Sequence, residues 1–137
     1  MKVGSFMANA GDLSSNRLLA LRIALAVVGL IFIFGVYPLA KYWPAGWSWG
    51  QGQPSYLATI VGLYATLGVF LLFAARDPFA HRSVVWITVW SSLVHAGIMA
   101  VRAAGDPAER EHLLGDAPAF LIIAIVLASL MPRRNEE

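Results

Sequence analysis

Cysteine is absent from all 137 residues, which excludes disulfides, thiolate nucleophiles and Cys-ligated zinc or iron–sulfur sites. Charge is scarce too: 13% of the chain is Asp, Glu, Lys or Arg against 58% hydrophobic residues, a balance wrong for a core surrounded by water. The ten basic residues lie near the ends of apolar segments and form no cluster, so a nucleic-acid footprint is missing and nucleic acid is set aside as a partner. Gly-rich phosphate loops, paired catalytic carboxylates and a serine with a base and an orienting acid are also lacking. So are internal repeats, low-complexity tracts and any soluble domain.

What is there instead is length in apolar runs. "LLALRIALAVVGLIFIFGVYPLA" (18–40) is long enough for a bilayer core of about 30 Å, with Arg22 placed to snorkel and Ser14 or Ser15 placed to cap. No small-x-small cleavage site follows it, so it is expected to be an uncleaved anchor. "YLATIVGLYATLGVFLLFAA" (56–75) is uncharged and carries Ala58, Gly62 and Thr66 at four-residue spacing, a stripe expected to pack on a neighbouring helix.

A third helix is expected after "RDP", with Asp77 as N-cap and Pro78 in the first turn. "GDPAER" repeats the device, with Asp106 as cap and Glu109 at the capping-box position, implying a short surface helix that Gly115 ends. "DAP" at 116–118 starts the last run, with Asp116 in a cap role. That run is short for a membrane, so thinning of the bilayer or extension past Met131 is expected. The fold expected is all-α: one integral membrane domain over 1–137, a four-transmembrane-helix bundle with spans of about 18–40, 56–75, 79–104 and 117–132 and a short interfacial helix before the last. The lead-in of a dozen residues is expected to be poorly ordered.

Lys2, Arg17, Arg22, Arg76, Arg82, Arg133 and Arg134 fall on one side of this map and Lys41, Arg102 and Arg110 on the other. This distribution places both termini in the cytoplasm by the positive-inside rule.

The third span is unusually polar. With Thr88 set to zero and about 100° per residue, His81, Ser91, Ser92, His95, Met99 and Arg102 share an arc about 100° wide, with Trp86 and Trp90 opposite. The arc should face protein or a cavity. Thr88, Ser91 and Ser92 serve equally as interhelical glue. His95, near mid-membrane, is a functional candidate or a neutral, hydrogen-bonded structural residue. Arg102 has three readings: snorkelling, pairing with Asp106 or Asp116, or holding an anionic headgroup.

Glu109, His112 and Asp116 would share a face on an unbroken helix, but Gly115 and Pro118 break it, so no metal site is expected. Trp43, Trp47 and Trp49 read as an interfacial belt, with a lid over an outward pocket as the alternative. The three histidines fall at three depths, which argues against two axial ligands on one haem, and no cofactor is expected. No span shows an internal carboxylate to extend a proton relay from His95.

Together "GVYPL", "YWPAGWSW", "GLYATLGVFLLFAARDP", "HRSVVWITVWSSLVHAGIMAV" and "HLLGDAPAF" resemble an uncharacterised family, catalogued as a domain of unknown function, of small bacterial four-helix membrane proteins. The resemblance runs from about residue 17 to Arg133. It implies the four-span fold and a bacterial inner-membrane location, and carries over no activity or catalytic residue. The function expected is that of a non-enzymatic subunit embedded in the bilayer. Its third-span face, with His112, Asp116, Trp43 and Trp47 from the loops, would bind a membrane partner, a second copy or a small lipophilic ligand. The alternatives are a redox or lipid-modifying enzyme, or a proton or ion pathway, centred on His95.

Overall fold

A computed structural model of the chain describes residues 2–47 and 54–132, with side chains at 15–47 and 55–132. Its elements are α1 (Lys2–Leu30), a π turn (Ile31–Gly35), α2 (Val36–Tyr42), α3 (Pro44–Trp47), α4 (Pro54–Arg76), α5 (Arg82–Gly105), a 3₁₀ helix (Pro107–Leu113) and α6 (Asp116–Leu130). No strand occurs among the described residues, and four helices are long and apolar enough to cross a membrane. This is the build of a multi-pass membrane protein.

The first span is continuous from Ser15 to Tyr42 but not uniformly α-helical. Pro38 lacks the N–H that would bond the Phe34 carbonyl, and the wider π turn lies where that ladder is already interrupted. The lead-in is helical from Lys2, contrary to expectation, because it holds no proline and Gly4 and Gly11 only weaken a helix. Ser14 and Ser15 therefore lie inside a helix, not at its start.

Two close pairs make the bundle, α1 with α4 and α5 with α6; α4 meets α5 along a much shorter seam. In the first pair a Cβ on Gly68 would stand 2.6 Å from the Gly29 carbonyl oxygen, so the two backbones touch there as only glycine permits. The stripe expected to do this, Ala58, Gly62 and Thr66, is exposed, and nothing lies within 4 Å of a Cβ built on Gly62. In a helix pair the tightest contact goes to the residues facing the partner, and the Tyr64–Gly68 face points inward.

At the end bearing Arg17, Arg22 and Arg82, these side chains bond helix C-terminal carbonyls. Arg17 Nη2 donates to Ser129 (2.8 Å) and Met131 (3.2 Å), Arg22 Nε to Ala75 (2.9 Å) and Arg82 Nη1 to Pro132 (3.3 Å). They tie off carbonyls that a helix leaves unpaired. Asp77 caps a turn, accepting from Ala80 N at 3.2 Å, and α5 itself begins at Arg82.

At the opposite, loop end, α6 decides the architecture. It has 15 residues, about 22 Å, and it stops at Leu130 where Met131 turns extended, so the expected extension does not occur. The seven-residue 3₁₀ helix, about 14 Å long, makes up the difference from α5, whose 24 residues span about 36 Å. The connection packs along α5 as the short surface helix expected, exposed at Pro107, Ala108, Arg110, Glu111 and Leu113. His112, expected at the outer surface, is buried.

Candidate functional site

The turn after the 3₁₀ helix carries Asp116, the first residue of α6, into the bundle beside His95. His95 stands about 20 Å along α5 from Arg82. Asp116 is wholly buried and is not the N-cap residue of α6, which is Gly115. Gly115 is packed so tightly on α3 that a Cβ there would fall 2.6 Å from the Gly46 carbonyl oxygen. That contact turns the chain inward and sends the carboxylate to two imidazoles instead.

An unbroken series of polar contacts follows. Tyr64 Oη lies 3.1 Å from His95 Nδ1; His95 Nε2 lies 3.0 Å from Asp116 Oδ2; Asp116 Oδ1 lies 2.8 Å from His112 Nδ1. His112 Nε2 lies 3.1 Å from Glu109 Oε2, and Arg102 Nη2 donates to Glu109 Oε1 at 3.3 Å. Side-chain exposure rises along it from 0% at Asp116 through 24% at Glu109 to 50% at Arg102. Four elements, α4, α5, α6 and the 3₁₀ helix, supply the six residues.

Rings enclose the deep end. Phe120 lies over His95 with centroids 4.2 Å apart, and Phe32, from the π turn, meets Tyr64 edge-on at 5.1 Å. Trp47 is buried 6.2 Å from Phe120 and closes the site from the loop side. Trp43 donates from Nε1 to Glu111 Oε2 at 2.8 Å. Trp47 is thus part of the loop-end packing, as a lid would be, while Trp43 stays exposed. Trp49 lies outside the described residues.

The carboxylates constrain the protons. With Asp116 ionised it only accepts, so His95 Nε2 and His112 Nδ1 carry hydrogens toward it. A neutral His95 then accepts at Nδ1 from the Tyr64 hydroxyl. On the other side, one proton must sit between His112 Nε2 and Glu109, on either atom, for that contact to be a hydrogen bond.

Of the residues singled out on the third span, the structure buries Thr88, Ser92 and Met99, leaves 15% of the His95 side chain exposed, and leaves Ser91 outside. The buried face, Val85, Thr88, Val89, Ser92, Ala96, Met99 and Ala103, is centred about 60° from the arc's middle, toward Val89 and Ala96. Thr88 donates to the Val84 carbonyl (2.8 Å) and Ser91 to that of Thr88 (3.2 Å), so both hydroxyls serve their own helix. Trp86 and Trp90 face outward as expected. Arg102 pairs with neither Asp106 nor Asp116 but with Glu109, which leaves Glu109 no capping-box role. Asp106 does cap, accepting from Ala108 N at 2.9 Å.

Glu109, His112 and Asp116 do come together, but the two carboxylates meet opposite nitrogens of one ring, which no single ion could share. Among the described residues no three metal-ligating side chains converge. No span was expected to carry an internal carboxylate beside His95; Asp116, the first residue of α6, is buried there and meets it. Tyr64 and Phe120 were missed altogether, although a tyrosine hydroxyl inside an uncharged span signals a buried partner.

No curated protein and no solved structure matches the chain. A model of a family of unknown function does, over residues 14–135. That match takes in every residue of the chain from Tyr64 to Arg102 described above, and the protein belongs to this family, DUF6632.

Proposed function

We propose that the protein is a non-enzymatic membrane subunit that holds a proton at Asp116 and exchanges it with one face of the membrane only, through His112 and Glu109, with Arg102 a fixed positive charge at the mouth. The observation that carries this reading is the unbroken series of polar contacts from Tyr64 to Arg102, hydrogen bonds except for the 3.1 Å ion-pair contact of His112 with Glu109. Carboxylates and imidazoles at hydrogen-bond distance pass protons along with small movements, and an ionisable cluster inside a bundle is costly to keep without such a use. Exchange is one-sided because, beyond His95 toward the arginine end, no ionisable side chain is among the described buried residues: the core there is Leu21, Leu25, Leu71, Ala74, Val85, Val89 and Leu127 with two hydroxyls, Ser92 and Thr88, and Thr88 is bonded to its own helix. Tyr64 and His95 are the contact for whatever gives or takes the proton in the interior, a membrane partner or a small lipophilic ligand. The seven-to-three division of Lys and Arg supports both termini in the cytoplasm, so the loop end faces out, and the resemblance to small bacterial membrane proteins supports an inner-membrane location.

The test is solid-state NMR of ¹⁵N-histidine-labelled protein in oriented proteoliposomes, with His95 assigned from His95→Gln. The His95 ring signals should follow pH on the loop side and ignore pH on the other, and Asp116→Asn should abolish the response. Signals that ignore the loop side would reduce the network to interhelical glue.

A further inference from the structure

The close pair α1 and α4 runs antiparallel in a single register: Gly29 meets Gly68, and seven residues away on each helix, about 10 Å nearer the arginine end, Arg22 meets Ala75. The arginines at that end are not all spent alike. Arg17 and Arg82 bond carbonyls at the end of α6. Arg22 gives only its Nε, 2.9 Å from the Ala75 carbonyl oxygen, and that bond fixes the guanidinium while leaving the fork of its two terminal nitrogens for another acceptor. The Ala75 carbonyl belongs to the peptide group that leads into Arg76, the last residue of α4. Among the described residues, no side-chain hydrogen bond or ion pair engages Arg76 or the Arg22 fork. Asp77, beside Arg76 in sequence, turns to Ala80 N at 3.2 Å.

What surrounds these two charges is apolar. Arg22 lies within the first span, Ser15–Tyr42, and Leu19 and Ile23 beside it are each 56% exposed. At about 100° per residue, Leu19, Arg22 and Ala26 lie within about 60° of one another on α1, and Val69, Leu72 and Arg76 within about 60° on α4. Both sets are turned away from the buried Leu25 and Leu71, and in an antiparallel pair they border one outward groove. Its occupant has to bring anionic oxygens for two guanidinium groups and an apolar chain for the flanks. A free phosphate satisfies only the charges, and a plain acyl chain only the flanks. A phospholipid carries both, in the order that the groove presents them, with charge at the helix ends and chain along the helices.

We propose that the outward groove between α1 and α4 at the arginine end is a binding site for an anionic phospholipid. The headgroup phosphate bonds the terminal nitrogens of Arg22 and pairs with Arg76, and one acyl chain follows Ala26, Leu72 and Val69 toward the contact of Gly29 with Gly68. An anionic headgroup fits better than a zwitterionic one, because a choline would add a third positive group beside the two arginines. The lipid thereby ties α1 to α4 at the membrane rim, independently of proton exchange at the loop end.

The experiment is native mass spectrometry of the delipidated protein in mild detergent, titrated with dioleoyl phosphatidylglycerol, with dioleoyl phosphatidylcholine or with inorganic phosphate. The phosphatidylglycerol should form a one-to-one adduct that outlasts the phosphatidylcholine adduct, although the tails are the same. Arg76→Gln is the decisive variant, because it removes a charge and none of the hydrogen bonds described; it should fold as the wild type does and weaken the phosphatidylglycerol adduct roughly fivefold. Arg22→Gln, which also frees the Ala75 carbonyl, should weaken it at least as much. Arg110→Gln makes the same change of charge at the loop end and should leave the adduct as it is. Equal retention of the two lipids overturns the site, as does an Arg76→Gln protein that holds phosphatidylglycerol like the wild type, or an Arg110→Gln protein that loses it equally. Inorganic phosphate bound as tightly as the lipid would make the groove a free-anion site and overturn the lipid.

Discussion

The two halves of this bundle solve the same problem, the ends of short helices in an apolar setting, by opposite means. At the arginine end, Arg17, Arg22 and Arg82 bond C-terminal carbonyls while the core behind them is leucine, valine and alanine. Charge there stays at the rim and the interior is dry. At the loop end the short helix, α6, starts inside the bundle, and the charge comes in with it: Asp116 is wholly buried and has to be answered by His95 and His112. The lesson is where a helix begins. A carboxylate at a first turn is ordinary on a surface, but the same residue about 15 Å deeper becomes the centre of a network.

The comparison breaks most sharply at Asp116. Asp116→Ala leaves two imidazole N–H groups buried without their acceptor and should cost about 3–5 kcal/mol, read as a large loss of thermal stability in detergent. A smaller change would mean that the loop half is wetter than its packing implies.

Gly68→Ala probes the dry contact between α1 and α4. The added methyl would meet the Gly29 carbonyl oxygen at 2.6 Å, and the strain should cost about 1–3 kcal/mol while leaving the His95 signals unchanged. If His95 responded as well, the halves would not be independent. The mildest probe is Ser91→Ala, which removes an exposed hydroxyl bonded to its own helix and should change stability by less than about 0.5 kcal/mol. A larger loss would show that Ser91 meets a partner chain.

Much of this was legible. Four spans, the capping aspartate of the 3₁₀ helix and the polar character of α5 follow from period and punctuation. His95 stood out because an ionisable residue inside an apolar run is rare. Asp116 did not stand out, because "DAP" is what a surface helix start looks like, and cap signatures carry no information about depth. The small stripe on α4 misled for a related reason: spacing shows which residues share a face, but only the partner shows which face is used, and Gly68 with Gly29 won over Ala58, Gly62 and Thr66.

By itself, then, the amino-acid order determined the solvent, the number of crossings and which helix is polar, because hydrophobic length and helical period are local properties. The tertiary structure alone decided that Gly115 packs on Gly46, that the chain therefore turns inward after the 3₁₀ helix, and that Tyr64, His95, Asp116, His112, Glu109 and Arg102 meet in one series. Those contacts join four separate elements, and only close packing, which leaves a buried carboxylate no water to turn to, brings such distant residues to a common purpose.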